Sequence, residues 1–271
     1  MVAAAGTPVV FIHGLWLHAD SWGPWVDRFR EAGYAPSAPG WPGEGTIEET
    51  RQHPERVGGR GIEDVVTHYA QHIATLDRPP IVVGHSFGGL VAQRLLGQGV
   101  AVAGVAIDAA PIKGVLFLPP SALRVASAAL RNPLNRGRAV ALTRGQFRYG
   151  FGNALTQAES DELFERWAIA SPGRPLFEAA IANLTPRSPA QVDTSNATRG
   201  PLLLTAGGED HTVPPAITRQ TQKLYEKSGA VTDVREFPTR GHSLTIDSGW
   251  QEVADAVLEW LGKQPLATST A

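Results

Sequence analysis

The chain has 271 residues, no cysteine and a formal net charge of −2, with 42% hydrophobic and 18% charged residues. That suits one large globular domain, or a core with an inserted lid. The missing cysteines exclude disulfides, thiolate zinc sites and a cysteine nucleophile. The small net charge gives no electrostatic footprint for nucleic acid or an anionic membrane, so neither is an expected partner.

The opening residues MVAAAGTP carry no Lys or Arg, and the apolar run Val9 to Ile12 is too short for a signal segment or a membrane span. A cytoplasmic protein is expected. Val9-Val10-Phe11-Ile12 reads as a strand buried on both faces, as central parallel strands are. Residues 20–32 read as a helix stopping at Gly33, and 34–39 as a short strand. Residues 40–60, rich in Gly, Pro and charge, read as a long loop of the kind that usually carries function. Residues 62–77 place Ile62, Val65, Val66, Tyr69, Ile73 and Leu76 at helical period. Strands follow at 80–83, 101–107, 202–205 and 231–237, with helices at 86–97 and 249–261. The last ten residues, ending ATSTA, read as a loose tail. Short apolar runs alternating with amphipathic helices predict an α/β fold with a mostly parallel sheet. Residues 112–198 hold helical patterns and no convincing strand pair. They divide the chain into a core, 1–111 with 199–271, and a helical lid.

Gly84-His85-Ser86-Phe87-Gly88 fits the nucleophile-elbow pattern, with the required strand before it and helix after it. So tight a reversal needs glycine two residues to either side and forces the serine into a strained conformation with its hydroxyl exposed. Ser86 is therefore the candidate nucleophile. His13-Gly14-Leu15-Trp16 follows the first strand, where a backbone N–H can face a developing oxyanion. Leu15 is the expected donor, Trp16 the alternative, and Phe87 the second donor. His13 reads as a buried residue holding its loop. Asp210, on the loop after strand 202–205, is the candidate acid, with Glu209 and Asp108 as rivals. His242, after strand 231–237, is the candidate base. The order Ser86, Asp210, His242 along the chain differs from that of two other serine-hydrolase designs.

His68 and His72 have the spacing of a helical metal pair but fall beside an apolar stripe, with no carboxylate ligand set. They read as a solvated flank, and no metal site is expected. His18, His53 and His211 carry no argument beyond their loop positions. Neither a phosphate-binding loop nor a dinucleotide motif is present, so no cofactor is expected. Trp16, His85, Trp41, Leu163 and Trp167 are candidate walls of an apolar substrate pocket.

These residues together resemble the α/β-hydrolase superfamily, in its branch of small bacterial esterases, lipases and cofactor-free perhydrolases. The match is carried by His13-Gly14, Ala19-Asp20-Ser21-Trp22, the elbow through Gly89, Gly207, Asp210, Pro214 and Gly241-His242. The resemblance implies a serine hydrolase acting on small ester-like substrates through an acyl-enzyme, under a helical cap. C–C bond hydrolysis, lactone opening and perhydrolysis use the same triad, and a small-ligand receptor on this fold is the non-enzyme alternative. Fluorophosphonate labelling separates enzyme from receptor. Dehalogenation is disfavoured, because those relatives carry Asp at the position of Ser86. The family sheet has two more strands before the His-Gly loop, so a reduced sheet of about six strands is expected here. Pro39 to Gly61 replaces a short turn of the family. Nothing in the sequence sets the oligomeric state.

Overall fold

A computed structural model describes residues 6–265. The elements run β1 (Pro8–Ile12), α1 (Gly23–Glu31), β2 (Ala35–Ser37), α2 (Ile47–Gln52), α3 (Ile62–Ile73), β3 (Ile81–His85), α4 (Phe87–Gly97) and β4 (Ala103–Ile107). Between β4 and the next core strand lie α5 (Pro120–Leu130), β5 (Ala139–Val140), α6 (Arg144–Gly150), α7 (Gln157–Trp167), β6 (Ser171–Pro172) and α8 (Arg174–Ala180). The chain closes with β7 (Leu202–Gly207), α9 (Pro215–Tyr225), β8 (Thr232–Phe237) and α10 (Trp250–Lys263).

Six strands form one sheet in the order β2-β1-β3-β4-β7-β8, and all five pairings are parallel. This is the reduced six-stranded sheet anticipated from the sequence. Strand alternation divides the core in two. Val10, Ile12 and Val82 face one cluster, with Leu90 of α4 and Val65 of α3; Val9, Phe11, Ile81 and Val83 face the other, with Trp25 and Phe29 of α1 and Val253 and Val257 of α10. Pro36 sits within β2, which is tolerated because β2 is an edge strand.

Four readings change. The helix expected over 62–77 stops at Ile73, where Thr75 and Leu76 turn back onto His72 and Ile73. The 40–60 loop contains α2, started by a capping box between Thr46 and Glu49. Residues 112–198 contain a strand pair, the antiparallel β5–β6 ribbon of two residues each, too short to leave a period. The C-terminal tail mostly lies outside the described residues, and Gly262 and Lys263 belong to α10. Among the described residues, no helix is long and apolar enough to cross a membrane.

Candidate active site

Four neighbouring strands each deliver one polar residue to the carboxyl edge of the sheet. Ser86 follows β3, Asp108 follows β4, Asp210 follows β7 and His242 follows β8. Ligands of open parallel sheets bind at this edge. Trp16, Ser86 and Asp108 are the three described non-glycine residues with positive φ, at 69°, 56° and 43°. Such conformations cost on the order of 1–3 kcal/mol and persist only when the surroundings fix them.

The fixing bonds are explicit at Ser86. Its N–H donates to Ile107 O at 2.9 Å, and its carbonyl accepts from Gly89 and Ala110, each at 2.9 Å. The turn is so tight that a Cβ on Gly84 or Gly88 would overlap backbone atoms of Gly88 or Ile12. A Cβ on Gly14 would lie 2.7 Å from Ser86 Cβ, so the His13-Gly14 loop is packed directly on the serine.

His242 and Asp210 are joined by a hydrogen bond of 2.6 Å from Nδ1 to Oδ2, fully buried on both sides. Asp210 Oδ1 accepts the N–H groups of Thr212 at 2.6 Å and Val213 at 2.8 Å. Glu209, the adjacent rival, contributes backbone contacts only: its N–H reaches Arg240 O and its carbonyl accepts from Asn153. A carboxylate accepts only, so Nδ1 carries the proton and Nε2 is left unprotonated and without a protein partner. Burial pushes the His242 imidazole down to about 4, against the opposing charge of Asp108. Burial pushes the Asp210 carboxyl up to about 7, offset by bonds from Asp108, Val213 and Thr212. His85 and Phe151 enclose the His242 ring, with centroids at 4.5 and 4.8 Å.

Asp108 accepts from Gly207 N–H at 3.0 Å and from Thr205 Oγ1 at 3.2 Å. Its carboxyl is held well above the usual range by burial and by the neighbouring Asp210 charge. Asp108, Asp210 and His242 present ligand atoms within 4.8 Å of one another, the one such grouping among the described residues. The carboxylate oxygens and His242 Nδ1 are engaged in the bonds just described, and His242 Nε2 is the atom of the group left without a protein partner. His68 and His72 do not converge: His68 Nε2–H reaches Gly40 O at 3.1 Å, and His72 lies 3.5 Å from Ser37 Oγ.

Of the expected oxyanion donors, the N–H groups of Leu15 and Phe87 have no acceptor among the described residues. The Trp16 N–H donates to Ser171 Oγ at 2.6 Å and is therefore engaged. His13 holds its loop as expected. Its Nδ1–H reaches Gly14 O at 2.9 Å, and its Nε2 lies 3.1 Å from buried Glu44. Burial lowers its pKa, but Glu44 and Gly14 outweigh that and raise it.

A cavity of about 180 Å³ opens beside Ser86. Of the candidate pocket walls, Trp16 lines it. His85, Trp41, Leu163 and Trp167 do not. His85 is turned against His242, and the Trp41 indole N–H donates to His13 O under the loop. Leu163 is buried in the core, while α7 packs on α6 through Phe164 and Phe147, whose rings lie 5.5 Å apart. That face is spent within the insertion. The walls come instead from Leu118, Ala122, Val125, Leu176, Ala179 and Val213. Their signal is the helical spacing of Ala122, Val125 and Ala126 along α5, which does not reveal which face of the insertion turns to the serine.

The profile of the alpha/beta hydrolase family matches residues 9–256. The chain belongs to the α/β-hydrolase family. Among solved structures this hydrolase is similar to a monoacylglycerol lipase of Paleococcus ferrophilus, with 23% identity, 94% of this chain and 95% of that one covered, and a TM-score of 0.65. An extracellular α/β-hydrolase from a Paenibacillus species gives 20% identity, 95% and 100% coverage, and a TM-score of 0.69. A putative non-heme bromoperoxidase of Mycobacterium tuberculosis H37Rv gives 23%, 94% and 92%, and 0.68. These identities establish the shared fold alone. A search of curated proteins gives no match.

Proposed function

We propose that the hydrolase cleaves carboxylic esters through an acyl-enzyme, with Ser86 as nucleophile, His242 as general base and Asp210 as the acid that orients it. The observation that carries this reading is the 2.6 Å bond between His242 and Asp210, which leaves the buried Nε2 of His242 able to accept a proton, at the edge where the strained Ser86 is presented. His242 takes the Ser86 proton as Oγ attacks the ester carbonyl. The N–H groups of Leu15 and Phe87 receive the oxyanion. His242 then protonates the departing alcohol, and water repeats the sequence on the acyl-enzyme. The lipase among the structural neighbours agrees with this chemistry.

Residues 112–198 serve as the cap that roofs the site. The cavity lining contains no charged side chain, which favours a neutral, apolar substrate limb. An apolar cavity of roughly 150 Å³ accommodates benzene, so the 180 Å³ here suits a ring-sized or short branched group. The test combines fluorophosphonate labelling with hydrolysis of p-nitrophenyl esters of increasing length. Labelling at Ser86 and a fall in kcat on the order of 10⁴–10⁶ in a folded Ser86→Ala variant are expected. Activity within tenfold of wild type in that variant overturns the assignment.

A further inference from the structure

The net charge of −2 averages over an uneven distribution. Residues 109–158 contain seven of the 24 Lys and Arg and none of the 26 Asp and Glu. Arg144 pairs with Glu165 across to α7. Lys113, Arg124, Arg131, Arg136 and Arg138 meet no carboxylate among the described residues: Lys113 Nζ donates to the carbonyls of Thr185 and Pro186, and Arg124 lies 3.9 Å over the Tyr149 ring. All four of these arginines are exposed.

Exposed apolar side chains concentrate in the same insertion. Seven large hydrophobic residues are exposed among those described, and six of them are Leu116, Phe117, Leu123, Leu134, Ile181 and Leu184. The pieces are tied together. Asn183 donates to Val115 O and accepts from Gly114 N–H, each at 2.7 Å, which joins the 113–117 strand of chain to the Ile181–Leu184 turn. Gln220 Oε1 accepts the N–H groups of both Leu116 and Phe117 at 3.1 Å, holding these two side chains outward. Leu123 is shared between the patch and the cavity: it is 51% exposed and also lines the space beside Ser86.

We propose that this face of residues 113–138, with the Ile181–Leu184 turn, docks on an anionic lipid surface, from which an apolar substrate passes α5 into the cavity. The chemistry is complementary on both counts. Lipid phosphates neutralise cations that have no carboxylate of their own, and the interfacial apolar layer buries Leu116, Phe117 and Leu184. A nucleic acid satisfies the first requirement and leaves the second unmet. The route into the cavity rests on the proposed esterase reading; the docking itself does not.

Sedimentation of the full chain with phosphatidylcholine vesicles, with and without phosphatidylglycerol, tests it. Binding is expected only with phosphatidylglycerol and is expected to fall with added salt. Each neutralised arginine weakens partitioning roughly fivefold, so Arg131→Gln with Arg136→Gln lowers it roughly 25-fold. Leu116→Ser with Phe117→Ser lowers it by at least about tenfold. Both double variants retain wild-type turnover of a short, water-soluble ester, since none of these residues lines the cavity. Equal binding to both vesicle types, no binding, or wild-type binding by either variant overturns the proposal, as does binding to heparin without binding to vesicles. Vesicle binding by a chain that hydrolyses no ester overturns the esterase reading and leaves the docking face intact.

Discussion

Replacing Asp210 by Asn changes one oxygen to an amino group and leaves side-chain volume nearly unchanged. In the wild type, Oδ1 accepts two backbone N–H groups at 2.6 and 2.8 Å, and Oδ2 accepts Nδ1–H of His242 at 2.6 Å. If the Asn oxygen keeps the two backbone donors, its NH₂ faces His242 Nδ1 and must donate to it. That forces the proton onto Nε2, the atom that accepts from Ser86 in the proposed mechanism. If the amide turns over, NH₂ faces the N–H groups of Thr212 and Val213, and two buried donors lose their acceptor at about 1–3 kcal/mol each. The first arrangement costs less and yields a folded enzyme with the wrong tautomer. The expected loss is about 10⁴-fold in kcat, or about 5.4 kcal/mol of barrier. Asp108→Asn and Glu209→Gln are expected to lose far less, because the side-chain amide oxygen at position 108 can still accept from Gly207 and Glu209 contributes backbone contacts only. Steady-state kinetics of the three variants on a p-nitrophenyl ester, with circular dichroism to verify folding, provide the measurement. An Asp210→Asn variant within tenfold of wild type, or an Asp108→Asn variant more damaged than it, refutes the reasoning.

Three further outcomes follow from the site. Ser171→Ala removes the acceptor of the Trp16 N–H and loosens a residue held at positive φ; kcat is expected to fall roughly fivefold with KM little changed, and Ser171→Thr to restore most of it. A general base works only when deprotonated, and burial places the imidazole at about 4 and its carboxylate partner at about 7. Activity on a non-ionising ester therefore rises with pH between about 4 and about 7 and levels above that, whereas a profile flat down to pH 4 contradicts it. Ala126→Phe fills the cavity and is expected to shift ester preference toward short chains by at least about tenfold, while the same measurement on Leu163→Ala, remote from the cavity lining, shows mainly a loss of stability of about 2–5 kcal/mol.

The order of strands and helices, the elbow at Ser86 and the loops bearing Asp210 and His242 were readable in the sequence because each rests on a local rule. A buried parallel strand is a short apolar run, a helix keeps a 3.6-residue period, and the elbow requires Gly84 and Gly88 where backbone meets backbone. The capping box at Thr46 and Glu49 was equally local and marks α2 inside what reads as loop. Other features depend on atoms brought together from distant parts of the chain. That Asp210 and not Asp108 meets His242 Nδ1 is a matter of how β4, β7 and β8 are ordered. The engagement of the Trp16 N–H depends on Ser171, 155 residues away. The walls of the cavity depend on how the insertion folds on itself: α6 and α7 satisfy each other, and α5 and α8 are left to roof the serine. Periodicity states that a helix has an apolar face, and only the packed structure decides what that face meets.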